Sequence, residues 1–125
     1  MRHHLYNPDF KFVVEPEHFD KYTDRELLQY CLGATMYMPG FKDFTPKILS
    51  HSMPALTTMV LCFEDACPEE KVPEAMENVH HLLATVTEAV DKGELDPDFV
   101  PLIFVRIRNL AQFKAFGEKL THQMP

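Results

Sequence analysis

Between Val72 and Val90 apolar residues recur every three or four positions: Val72, Ala75, Met76, Val79, Leu82, Leu83, Val86 and Val90 fall on one face of a helix. That spacing predicts an amphipathic helix of about five turns that buries one stripe. Three other stretches have a different rhythm. Ala34–Met38, Thr57–Phe63 and Pro101–Ile107 are short apolar runs, each closed by Gly, Pro or charged residues. Runs this short and continuous read as strands buried in a sheet.

Helical patterns lie between and beside these runs. Phe44, Ile48 and Leu49 have helical spacing and predict a helix near Asp43–His51, broken around Pro54. Leu110, Phe113, Phe116, Gly117 and Leu120 predict a last helix running nearly to the C-terminus. Thr23 and Glu26 have capping-box spacing, which predicts a helix from there to about Tyr30, with Gly33 as its stop. Pro39 and Gly40 form a strong turn pair after the first strand, and Asp91, Lys92 and Gly93 end the long helix. Residues 1–22 mix aromatics, prolines and charges without a period, and read as an extension wrapping the domain, with a short strand at Phe10–Val14.

The element order is therefore a helix followed by three βα units. Strands alternating with helices imply an α/β fold with a parallel sheet and right-handed crossovers. Three such units are too few to close a (β/α)8 barrel, so the expected architecture is a partial TIM barrel of about three βα units preceded by an N-terminal helix. Residues 1–22 are assigned to the extension and residues 23–125 to the barrel portion.

Composition narrows the function classes. The 125 residues are 46% hydrophobic and 25% charged, ordinary for a globular domain. A formal net charge of −7 argues against a nucleic-acid partner, which needs a basic footprint. No apolar run approaches the roughly 18 residues of a membrane span. The N-terminal Met1–Pro8 stretch lacks the apolar core of a signal peptide. Cys31, Cys62 and Cys67 make no paired framework and read as reduced thiols of a cytoplasmic protein.

Chemistry concentrates where strands end. Glu64 and Asp65 directly follow the second apolar run, and α/β proteins place their sites at the C-terminal ends of strands. Acidic residues also favour helix starts, so a loop acid and an N-cap are the plainer account. Arg106 sits inside the third run between apolar neighbours, so its guanidinium must leave the core or find an anion. A bidentate grip on a carboxylate or enolate suits it. A salt bridge to Glu64 or Asp65 across neighbouring strands suits it equally, and would orient it. His80 and His81 are consecutive on a helix and diverge by about 100°, so they cannot share a metal. His3 and His4 lie in the terminal extension. No Gly-rich phosphate loop, nucleophile elbow or His-pair metal motif is present.

Tyr37-Met38-Pro39-Gly40, Cys62-Phe63-Glu64-Asp65-Ala66 and Val105-Arg106-Ile107-Arg108 together resemble the N-terminal part of the HpcH/HpaI aldolase and citrate lyase β-subunit family. The resemblance spans about residues 33–120. It implies a divalent-metal-dependent TIM barrel that makes or breaks carbon–carbon bonds in 2-oxo acids or acyl-CoA thioesters. Arg106 would match the family arginine that holds the substrate carboxylate and the developing enolate oxygen. Glu64 and Asp65 would bind substrate at the mouth, by ordering metal-bound water or positioning Arg106, and Mg2+ would act as a Lewis acid.

Two departures accompany the resemblance. Arg108 stands where the family has Asn, with Asn109 next. The family's metal carboxylates come from later strands, so the expected metal ligands lie beyond this chain, read as an N-terminal fragment that does not turn over alone. The expected partners are a small carboxylic acid or acyl-CoA, and further copies joined at exposed sheet edges.

Two readings compete with a lyase. One is a small non-catalytic α/β module that binds a partner through its edge strands and Phe-rich last helix. The other is a degenerate barrel kept for assembly. A phosphoacceptor receiver domain fits the length, but its first strand would end in acidic residues, not in Pro39 and Gly40.

Overall fold

The computed structural model describes residues 7–120. Three parallel strands, β1 (Met36–Pro39), β2 (Thr58–Cys62) and β3 (Leu102–Arg106), form one sheet in the order β1-β2-β3. A single helical turn, α1 (Arg25–Leu28), precedes them. Each strand is followed by a helix: α2 (Thr45–Leu49), α3 (Val72–Asp91) and α4 (Leu110–Gly117). This is the expected α/β arrangement of three βα units, a partial TIM barrel.

The register places alternate side chains on opposite faces, as the pleat of a strand demands. Met36 and Met38 share a face with Met59, Leu61, Ile103 and Val105. Met38, Met59, Leu61 and Phe63 join the stripe of α3 (Ala75, Val79, Leu82, Leu83, Val86, Ala89) and Phe116 of α4 in one core. Met59, Leu61, Val79 and Leu82 have no exposed surface at all. Full burial of such a side chain stabilises by roughly 1.5–3 kcal/mol, so this face carries the fold. On the opposite face Tyr37, Val60 and Phe104 line up in register. Val60 is buried, but Tyr37 keeps 59% and Phe104 46% of its surface exposed.

Local chemistry explains the ends of α3. A 3-10 turn, Glu69–Lys71, leads into it, and Pro73 lies in the first turn, where its missing N–H costs nothing. Gly93, at φ +71°, reverses the chain beyond Lys92, and the Glu94 N–H donates back to the Ala89 carbonyl at 2.9 Å.

The structure corrects three expectations. Phe10–Val14 forms no strand; Val13 and Val14 stand exposed. The first helix is one turn long and is capped by Asp24, whose carboxylate accepts the Glu26 N–H at 2.8 Å. Thr23 cannot cap it, because its hydroxyl bonds with Asp20. The last helix stops at Gly117; residues 121–125, like His3 and His4, lie outside the described residues. Among the described residues no helix is long and apolar enough to cross a membrane.

Candidate functional site

β2 and β3 end together: Cys62 is the register partner of Arg106, and the Phe63 N–H donates to the Arg106 carbonyl at 2.9 Å. Beyond Cys62 the chain bends, because the Cys67 N–H donates to the Glu64 carbonyl at 2.9 Å and closes a turn. The Glu64 N–H also meets Cys62 Sγ at 3.4 Å. This turn brings two consecutive acids to one place, which an extended strand would not do.

Arg106 faces both. Its Nη2 lies 2.5 Å from Glu64 Oε2 and its Nη1 2.7 Å from Asp65 Oδ2. Partial desolvation acts to lower the Arg106 pKa, but the Asp65 and Glu64 carboxylates outweigh it and hold the pKa above its ordinary value. The two acids are not equivalent. The Asp65 side chain is 72% exposed, against 37% for Glu64 and 39% for Arg106. Asp65 is therefore the looser partner.

All three candidate residues of the sequence reading thus meet at the C-terminal ends of β2 and β3. The ion pairs expected across the neighbouring strands are present, and they orient a guanidinium that stays partly open to solvent.

Arg108 was read only as a departure from a family pattern. Its Nε donates to the Phe63 carbonyl at 2.6 Å, and its Nη2 donates to the carbonyls of Glu64, at 3.3 Å, and Cys67. Asn109 caps α4 by accepting the Gln112 N–H at 2.9 Å, while Gln112 Oε1 accepts the Arg108 N–H at 2.7 Å. Asn109 is thereby committed to the helix start. The one available signal for Arg108 was its place two residues beyond Arg106, just past the end of β3.

The end of β1 joins the same rim. The Gly40 N–H donates to the Cys62 carbonyl at 2.9 Å, and a Cβ at Gly40 would lie 2.8 Å from the Phe63 ring. Only glycine permits that approach. Asn78 of α3 holds the turn, donating to the carbonyls of Gly40 at 2.7 Å and Lys42 at 2.9 Å. Sequence periodicity gave no sign of it.

Two other reactive side chains are turned inward: the Cys67 thiol, within the rim turn itself, and the His80 ring. Cys67 is a buried thiol whose pKa burial pushes up, only partly offset by Arg108, so it is a poor nucleophile. His80 stacks on Phe116 with ring centroids 4.3 Å apart, and among the described residues neither of its buried ring nitrogens has a hydrogen-bond partner. Burial, and then Lys119, lower its pKa. A cavity of about 260 Å³ lies at the other end of the sheet, against Leu56, Thr57, Phe99 and Leu102, and is lined by none of Glu64, Asp65 or Arg106.

Residues 26–125 match the family described as a C–C bond lyase of the TIM-barrel fold. Nothing among curated proteins or solved structures matches the chain.

Proposed function

Because the chain belongs to the C–C bond lyase family of the TIM-barrel fold, we propose that the rim of Arg106, Glu64 and Asp65 binds the carboxylate of a 2-oxo acid or acyl-CoA substrate. The reaction would be carbon–carbon bond cleavage or formation of the HpcH/HpaI and citrate lyase β type. The observation that carries this reading is the placement of Arg106, the last residue of β3, with its guanidinium held by two carboxylates yet 39% exposed.

Charge decides how a substrate enters. Both carboxylates are already on the Arg106 guanidinium, so an incoming anion must displace one of them. Exposed ion pairs are weak, and Asp65 is the more exposed of the two. A substrate carboxylate therefore takes the place of Asp65 on Arg106, while Glu64 keeps the guanidinium aimed. Carbon–carbon cleavage next to a carbonyl develops an enolate, and a cation already in place stabilises that charge without reorganising. The carboxylate released from Arg106 is free to order the leaving fragment or a water.

The residues present do not fit a magnesium site. Among the described residues no group of three His, Cys, Asp or Glu side chains could hold a metal ion, and both acids at the rim face Arg106. No step of this reading runs through a metal.

Titration of the 125-residue chain with oxalate, an enolate-shaped dianion, tests the reading. Arg106→Ala is expected to weaken binding at least about tenfold, because a bidentate charged contact is lost. Asp65→Asn is expected to tighten it a few-fold, because the competing carboxylate is gone. Equal affinity in wild type and Arg106→Ala would sink the proposal. A small non-catalytic α/β module that binds a partner is the second reading, favoured by the half-exposed Tyr37 and Phe104 on one face of the sheet. A monodisperse, cooperatively unfolding monomer that ignores oxalate would support it.

A further inference from the structure

Arg108 has the charge and shape to bind an anion, yet among the described residues it makes no ion pair. Its guanidinium is instead turned onto three backbone carbonyls, those of Phe63, Glu64 and Cys67. All three belong to the one turn that presents Glu64 and Asp65. A planar fork with several fixed donors can hold several acceptors at once, which a lysine ammonium cannot do with the same directionality. The contacts reach from 41 to 45 residues back along the chain, so they tie α4's leading residues to the β2–α3 turn.

The other end of Arg108 is fixed as well. Its own N–H is held by Gln112, whose N–H is held in turn by Asn109. The side chain thus leaves a backbone anchored to the first turn of α4 and ends on the acidic turn. Charge supports the arrangement: Arg106 and Arg108 together balance Glu64 and Asp65, so the turn carries no net charge. Without Arg108 the turn would bear −1, and three carbonyls would lose their donor.

We propose that Arg108 is the positioning residue of this site, fixing the Phe63–Cys67 turn so that Glu64 and Asp65 reach Arg106 from the geometry an incoming anion can displace. This rests on the anion-binding reading of the rim. It assigns a task to the position at which the sequence departs from the HpcH/HpaI pattern, and that task is holding the loop, with no contact to substrate.

The test uses the 125-residue chain carrying Arg108→Ala and Arg108→Lys, with amide hydrogen exchange, the NMR signal of the Arg106 Nε–H, and oxalate affinity. In Arg108→Ala the Cys67 amide is expected to exchange at least about tenfold faster than in wild type while amides of α3 keep their protection. The Arg106 Nε–H signal then moves, because its pairing with Glu64 and Asp65 loosens. Oxalate binding weakens about tenfold, because Glu64 no longer aims the guanidinium and the turn has lost a positive charge. Arg108→Lys restores the charge without the fork, and is expected to recover the Arg106 Nε–H signal more fully than the Cys67 protection.

Unchanged Cys67 exchange and an unmoved Arg106 Nε–H signal in Arg108→Ala would overturn the proposal. So would an Arg108→Ala chain in which α3 and the turn lose protection together, for that marks a general fold contact. If Arg108→Ala fails to fold, Arg108→Lys decides by the same two readouts. Absence of oxalate binding in wild type would fail the anion reading alone, since the exchange and Arg106 signal results stand without a ligand.

Discussion

The helix-covered face of the sheet and the rim at its C-terminal ends are made by the same three strands, but they are held by different forces. On the face, Met38, Met59, Leu61, Phe63, Val79 and Leu82 interlock with essentially no solvent access. At the rim, Arg106, Glu64 and Asp65 remain between 37% and 72% exposed and meet through ion pairs. Apolar burial is strong and tolerates no vacancy, whereas exposed ion pairs are weak and exchange partners readily. The face therefore fixes where the strand ends lie, and the rim can trade one carboxylate for another without disturbing the fold.

The largest effect belongs to the face. Leu82→Ala empties a site with no exposure, between α3 and the strands, and is expected to cost about 2–5 kcal/mol in chemical denaturation. A loss below about 1 kcal/mol would mean that the face is looser than its burial implies, and the contrast with the rim would fail.

Gly40→Ala probes the junction. The added methyl would meet the Phe63 ring, a core residue whose backbone carbonyl is also gripped by Arg108. Overpacking of this kind costs about 1–3 kcal/mol. Because the ring and the carbonyl belong to one residue, the variant is expected to shift the NMR signals of Glu64 and Asp65 as well. A stability loss with the rim signals unmoved would show the two regions to be independent.

Sequence periodicity made the face legible. The stripe of α3 and the three apolar runs follow from the spacing of residues such as Val79, Leu82, Val60 and Leu61, and the observed strands fall inside the expected ones or shift by a residue or two. Glu64, Asp65 and Arg106 were legible as a set because each stands at the end of an apolar run, and parallel strands bring such ends together. What stayed hidden depends on contacts without a period. Arg108 and Asn78 act on backbone carbonyls 36 to 45 residues distant, and a carbonyl has no signature in side-chain spacing. The failed strand at Phe10–Val14 has a similar cause, since a strand needs a partner that an apolar run alone cannot supply.

The smallest expected effect comes from His80, which sits on the dry side but titrates. Its folded pKa is lowered by burial and by Lys119. Near and below pH 6.5, the usual histidine value, the unfolded chain takes up a proton that the folded chain refuses, so stability falls as pH drops through that window toward the lower folded value. Above it the two states bind protons alike and the effect vanishes. Replacing His80 by Phe, which keeps a ring against Phe116, is expected to flatten this part of the pH–stability curve. An unchanged slope in His80→Phe would assign the acid sensitivity to other groups.

The central claim is that the rim, and not the face, answers to an anion. Its most direct test is oxalate titration of the labelled 125-residue chain by NMR, following the Arg106 Nε–H signal beside the amides of Glu64, Asp65, Val79 and Leu82. The account predicts a saturable shift of Arg106 and of the two acidic residues, with Val79 and Leu82 unmoved. Oxalate that leaves the Arg106 signal in place, or that moves the core amides equally, would contradict it.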